Sequence, residues 1–168
     1  FEAIQQEYCS GFGAAAGEIQ KYLEYWEEVS DSQATVDACN AVRYDPVGVE
    51  IGSWNYFYTK APLVYTPEVM GKGFAILERA AGLVENDATA SLRVAFLRKG
   101  LQHAQLTLDA QRVYESGDKY QLAQAVKKLD EFRAEIEPDF VANMCHLTQW
   151  ENVCWDRTTL NFLMNAPG

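Results

Sequence analysis

Tyr114-Glu115-Ser116-Gly117-Asp118-Lys119-Tyr120-Gln121-Leu122 is the stretch on which the fold turns. Gly117 supplies the left-handed residue that ends a helix. Asp118 offers a side-chain acceptor to the first amides of the next helix, with Gln121 three residues on in a box-like arrangement. One helix therefore stops and another starts with almost no linker, and so short a connection places the two antiparallel and adjacent.

Working outward, residues 88–116 carry Val94, Leu97, Leu101, Ala104 and Leu108 at helical spacing. Downstream, Leu122, Val126, Leu129, Arg133 and Ile136 follow one face, with Arg133 the only polar member. Upstream, Asn86-Asp87 is a second short turn, and before it Met70, Phe74, Leu77, Ala81 and Val84 mark a helix over residues 66–85. Thr66 is placed to cap it, and Pro67 occupies the first helical position, where its missing N–H costs nothing. These three helices form an up-down-up array. A further helix is expected over residues 13–30, with Ala15, Ile19, Tyr22, Trp26 and Val29 on one face and slim first turns from Gly13 to Gly17. Residues 1–9 make a first helix, broken at Ser10-Gly11. A last one is expected to resume at Pro138 and run to about Trp150. Residues 31–65 are the least regular part. Asp45-Pro46 and Val47-Gly48 punctuate them, the run from Ser53 to Tyr58 reads as a short strand or a packed loop, and Lys60-Ala61-Pro62 ends it. The expectation is an all-α fold, an antiparallel bundle of about five to six helices in a single domain over residues 1–168, with one irregular aromatic-rich segment.

A chain of 168 residues buries a sizeable core without metal or disulfide. Its net charge of −10 repels phosphate backbones and anionic lipids, which argues against nucleic acid and membrane surfaces as partners. No apolar run is long enough to cross a bilayer. The first residue is Phe1 rather than Met, and Asn165-Ala166-Pro167-Gly168 is linker-like, so the chain is expected to be a piece of a larger multidomain protein.

Signs of catalysis are few. The cysteines Cys9, Cys39, Cys145 and Cys154 form no CxxC pair and fit no zinc module. They are buried thiols, or one pair is bridged if the protein is exported. His103 and His146 lack the nucleophile and elbow motifs of a triad and read as packing or surface groups. Cys145 and His146, adjacent on a helix, point about 100° apart and do not easily share one ion. Glu24, Glu27, Glu28, Asp31 and Asp37 sit in polar contexts and read as a solvated face, not as a glycosidase pair. Gly11-Phe12-Gly13 and Gly71-Lys72-Gly73 lack the context of a phosphate loop. No catalytic, cofactor or metal residue is assigned.

The aromatics offer more. Trp54, Tyr56 and Tyr58 crowd one segment, with Tyr44 and Tyr65 nearby and Trp150 and Trp155 close to the C-terminus. Exposed aromatic faces stack on sugar rings, so Trp54, Tyr56, Tyr58 and Trp150 are candidate glycan or interdomain contacts. The alternative is that they fill a core or an interface.

Three stretches carry a resemblance. These are Tyr8-Cys9-Ser10-Gly11-Phe12-Gly13-Ala14-Ala15 with Ile19-Gln20-Lys21-Tyr22-Leu23-Glu24-Tyr25-Trp26, then Tyr65-Thr66-Pro67-Glu68-Val69-Met70 with Leu77-Glu78-Arg79-Ala80, and the run from Arg93 to Ala104. Together they resemble the C-terminal helical region of bacterial proteins of domain-of-unknown-function family 4838. The resemblance implies a glycoside-hydrolase-like parent, secreted or periplasmic, whose catalytic carboxylates lie on a preceding (β/α)₈ barrel. This chain would then be a non-catalytic accessory domain packed on that barrel, its partners the adjacent catalytic-type domain and carbohydrate. A freestanding helical module for a partner protein or small ligand, held against the Leu101–Leu108 stripe, is the rival expectation.

Overall fold

The computed structural model describes residues 2–44, 53–143, 145–147, 151, 155 and 157–164, and every regular element among them is a helix. In chain order these are α1 (Glu2–Ser10), a 3₁₀ turn (Gly13–Ala15), α2 (Ala16–Ser30), α3 (Gln33–Tyr44), α4 (Ser53–Val64), α5 (Pro67–Leu83), α6 (Ala88–Ser116), α7 (Lys119–Ile136), a second 3₁₀ turn (Glu137–Asp139) and α8 (Arg157–Met164). The all-α expectation holds. The described residues gather into two compact units, Phe1–Asp37 with Val64–Leu101, and Ala38–Leu63 with Gln102–Gly168.

The capping chemistry is as expected. Thr66 accepts from the Val69 amide at 3.3 Å, with Pro67 at the first turn of α5. Asp87 accepts from the Ala90 amide at 3.0 Å and opens α6. Gly117 has φ +77°, a conformation costly to any residue with a Cβ, and Asp118 accepts from the amides of Tyr120 and Gln121 at 3.0 and 2.9 Å.

Three expectations need correction. Residues 31–65 are not irregular where they are described, because α3 and α4 occupy them. Ser32 is the overlooked cap. Its hydroxyl oxygen meets the Thr35 amide at 3.3 Å and its carbonyl accepts from the Val36 amide at 3.1 Å. The aromatic run is helical in α4, neither strand nor loop, since the strand preference of aromatics yields to tertiary context. Pro62 lies inside α4, in its last turn; the expected breaks at Asp45-Pro46 and Val47-Gly48 lie outside the described residues. Finally, the helix expected from Pro138 does not begin there; helical residues return only from Cys145, first at 145–147 and 151 among the described residues. The chain makes a 3₁₀ turn at Pro138 and Phe140 follows in the left-handed region at φ 55°, which a continuing helix cannot contain.

In the first unit α2 and α5 run antiparallel. Glu18 meets Arg79 at 2.9 Å, the Tyr25 hydroxyl donates to the Val69 carbonyl at 2.8 Å, and Trp26 lies against Gly73. α5 and α6 are antiparallel too, as Ser91 donates to the Val84 carbonyl at 2.7 Å, Arg98 meets Glu78 at 2.8 Å, and Leu101 reaches Gly73. Ile19, Met70, Leu77, Val84 and Val94 are fully buried between them. On α5 the buried face runs through Met70, Gly73, Leu77, Ala80 and Val84, so Phe74 and Ala81 sit at its edge rather than on it. Glu18 is clamped by Lys21 at 2.6 Å as well as by Arg79, and these two hydrogen bonds hold its carboxyl below the usual carboxylate range. Gly13, at φ 55°, receives the start of α6, so that slim turn serves packing inside the unit.

In the second unit α7 buries Leu122, Val126, Leu129, Arg133 and Ile136, the whole expected stripe. Leu106, Ala110, Trp155 and Leu160 complete this core. Along α6 the expected stripe fails after Leu101. Ala104 is exposed, and the buried residues become Leu106 and Ala110. Leu108 alone keeps to the earlier face.

Candidate functional site

The second unit contains a buried ionic cluster centred on Arg133. The stripe of α7 carries this side chain inward, where a lone guanidinium is intolerable without partners. It finds them in a fork. Its Nη1 donates to Glu151 Oε2 at 2.9 Å and its Nη2 to Glu151 Oε1 at 2.5 Å. Its Nε donates to His103 Nε2 at 3.0 Å, and Asp130 Oδ1 stands 3.5 Å from Nη1. Arg133 and Glu151 are each only about 4% exposed on their side chains.

His103 must carry its proton on Nδ1 to accept at Nε2. Burial, and then the Arg133 charge, lower its pKa from 6.5 to about 4. It is therefore neutral at neutral pH, with the lone pair a general base would use already held by Arg133. Beside this cluster the Trp155 indole N–H donates to Gln111 Oε1 at 2.7 Å, both groups being buried. These pairs lie in and beside the core of the second unit. Cys145 and His146 are exposed, and the His146 backbone amide donates to Asn143 Oδ1 at 3.0 Å. Cys154 lies outside the described residues, among which no group of three or more His, Cys, Asp and Glu side chains is arranged to hold a metal ion. Cys9 is buried without a bridge, and burial pushes its thiol up. Cys39 is exposed. Glu24, Glu27, Glu28, Asp31 and Asp37 all face solvent.

The first unit presents a different kind of place. Ile4 and Tyr8, one turn apart on α1, are 72% and 49% exposed. Leu92 and Phe96, one turn apart on α6, are 73% and 45% exposed. A groove of about 400 Å³ joins the two helices, lined by Glu7, Tyr8, Gly11, Phe12, Arg93, Phe96 and Leu97. Arg93 Nη1 donates to the Gly11 carbonyl and stiffens its floor. On the other side of Tyr8 a second groove, of about 380 Å³, is lined by Ile4, Gln5, Leu23 and Glu27. Tyr8 is the wall common to both, and its ring packs on Phe12 with centroids 5.4 Å apart.

The aromatic candidates from the sequence fare unevenly. Trp54, Tyr56 and Tyr58 lie on α4, with side chains outside the described residues, and Trp150 lies outside them altogether. Trp155 is core, and Tyr65 is half-buried with its ring 6.2 Å from that of Trp26. Sequence reasoning missed the Tyr8 face and Glu151. The spacing of Ile4 with Tyr8 and of Leu92 with Phe96 was the available signal for the face. For Glu151 the only hint was a charged residue in the α7 stripe, which demands a counter-charge. Neither a protein-family model, nor a curated protein, nor a solved structure matches the chain.

Proposed function

We infer that the chain is a non-catalytic helical accessory module that docks on a neighbouring domain through the α1–α6 face. The observation that carries this reading is a groove between α1 and α6 walled by the exposed Tyr8 and Phe96, with exposed Ile4 in the neighbouring groove that shares Tyr8 and exposed Leu92 one turn from Phe96. Single exposed apolar residues are ordinary on a surface, whereas contiguous ones rimmed by polar groups mark contact sites. The engaged state of His103 and Arg133 agrees with a structural use of the chain's most buried charges.

The narrower version places this module beside the barrel of a glycoside-hydrolase-like parent, with Trp54, Tyr56, Tyr58 and Trp150 towards a glycan. Its support is the resemblance of the helical stretches. Retardation of the chain in gels containing soluble polysaccharide, lost in Trp54→Ala/Trp150→Ala, would favour it, and no retardation on any plant or microbial glycan would remove it.

The docking reading is tested with an environment-sensitive apolar dye. The 168-residue chain should bind it in its folded state, and Ile4→Asp/Phe96→Asp should abolish that binding at unchanged helicity and midpoint. A folded chain that binds no dye would remove the main support.

A further inference from the structure

The Tyr8 face also has a charge pattern that bears on what docks there. Glu7 lines one groove and Glu27 the other, so each apolar trough has a carboxylate on its rim. Glu2, Glu24 and Glu28 are exposed on the same two helices, α1 and α2. No resolved Lys or Arg on α1 balances them, and Lys21, the basic residue of α2, is tied to Glu18 at 2.6 Å. On the α6 side Arg93 is an exposed cation lining the same groove as Glu7, its Nη1 on the Gly11 carbonyl, and the exposed carboxylates Glu2, Glu7, Glu24, Glu27 and Glu28 outnumber it. The apolar anchors lie one turn apart on each helix, which is the spacing of a helical partner's own side chains.

Resting on the docking reading above, we propose that the Tyr8 face receives an amphipathic helix with a basic flank. Its apolar stripe lies along the troughs on either side of Tyr8. Its Lys and Arg residues lie over the α1–α2 carboxylates, above all Glu7 and Glu27. Charge complementarity selects this occupant over an acidic or neutral helix, because like charges across a desolvated rim are costly. It also selects against a second copy of this chain, whose own face carries the same carboxylates, and against an anionic lipid surface.

The probe is a pair of designed helical peptides of about 20 residues with identical Leu stripes, one flanked by Lys and one by Glu. Each is titrated into the 168-residue chain by fluorescence anisotropy. The Lys-flanked peptide should bind about tenfold more tightly than the Glu-flanked one, and the difference should shrink between about 50 and about 500 mM salt. Ile4→Asp should weaken both peptides, and Glu7→Gln/Glu27→Gln should erase only the preference. All three substituted residues are exposed at the surface, so folding is not at stake; circular dichroism of each variant verifies this. Equal binding of the two peptides, still lost in Ile4→Asp, would overturn the basic-flank assignment and leave the docking face standing. Binding of neither peptide, with no dye binding by the chain, would overturn both. A dimer in sedimentation that Ile4→Asp dissolves would assign the face to a second copy and overturn the proposal.

Discussion

Arg133 shows what a single residue can announce. In an otherwise apolar helical stripe it had to be exposed, or paired, or wrong, and the structure pairs it with Glu151 and His103. Removing one partner of a buried pair strands the other, so Arg133→Met is expected to cost about 3–5 kcal/mol of folding stability. Arg133→Met/Glu151→Met should recover most of that, because no charge is left behind. Urea unfolding of both variants measures the difference. His103 makes a pH prediction whose sign follows from its lowered pKa. Folding holds it at about 4 against 6.5 ordinarily, so between these values the unfolded chain binds the extra proton and the folded chain does not. Its contribution is complete above pH 6.5 and is lost as the pH falls towards 4, by on the order of 2 kcal/mol after allowance for its partial exposure. His103→Gln, which keeps an acceptor for Arg133, should flatten the fall in melting temperature over that range. An unchanged slope would mean that His103 is not protonated on unfolding there. Glu151 itself was not legible, since it lies 18 residues from Arg133, beyond the helical pattern.

At the scale of the element, what could be read was what local chemistry determines. Thr66, Pro67, Gly117 and Asp118 each act through a backbone amide or a dihedral angle close by, and α5 and α7 begin, and α6 ends, where these residues said they would. α3 and α4 were missed for the converse reason. Pro and Gly around residues 45–48, and the aromatic run after them, outweighed the quieter Ser32 cap. The change of buried face after Leu101 is likewise tertiary, because a period of 3.6 says nothing about which side of a long helix meets its neighbour. Gly73 belongs to this scale as well. An added Cβ there would lie 2.6 Å from Trp26 Cζ2 and 3.3 Å from Leu101 Cδ2, both in the packed first unit. Gly73→Ala is expected to lose about 1–3 kcal/mol through overpacking, in spite of the higher helix propensity of Ala. Pairing it with Trp26→Phe should relieve part of that loss, as thermal unfolding of the single and double variants would show.

For the whole molecule, the sequence spoke to class more than to role. Composition and periodicity pointed to an all-α chain, and the described residues are that. The Tyr8 face was hidden because periodicity assigns apolar residues to a core by default, and only the packed structure reveals that Ile4, Leu92 and Phe96 are exposed among the described residues. Its net charge of −10 then acts in one direction, favouring a basic partner and discouraging self-association. Hydroxyl-radical footprinting of Tyr8 and Phe96 tests the docking claim most directly, comparing the isolated chain with the protein as its source cells assemble it. The account expects both side chains to be oxidised readily in the isolated chain and protected several-fold in the native assembly, while exposed Tyr120 is labelled equally in the two. Equal labelling of Tyr8 and Phe96 in both samples would contradict it, because the face would then be uncovered where the protein works.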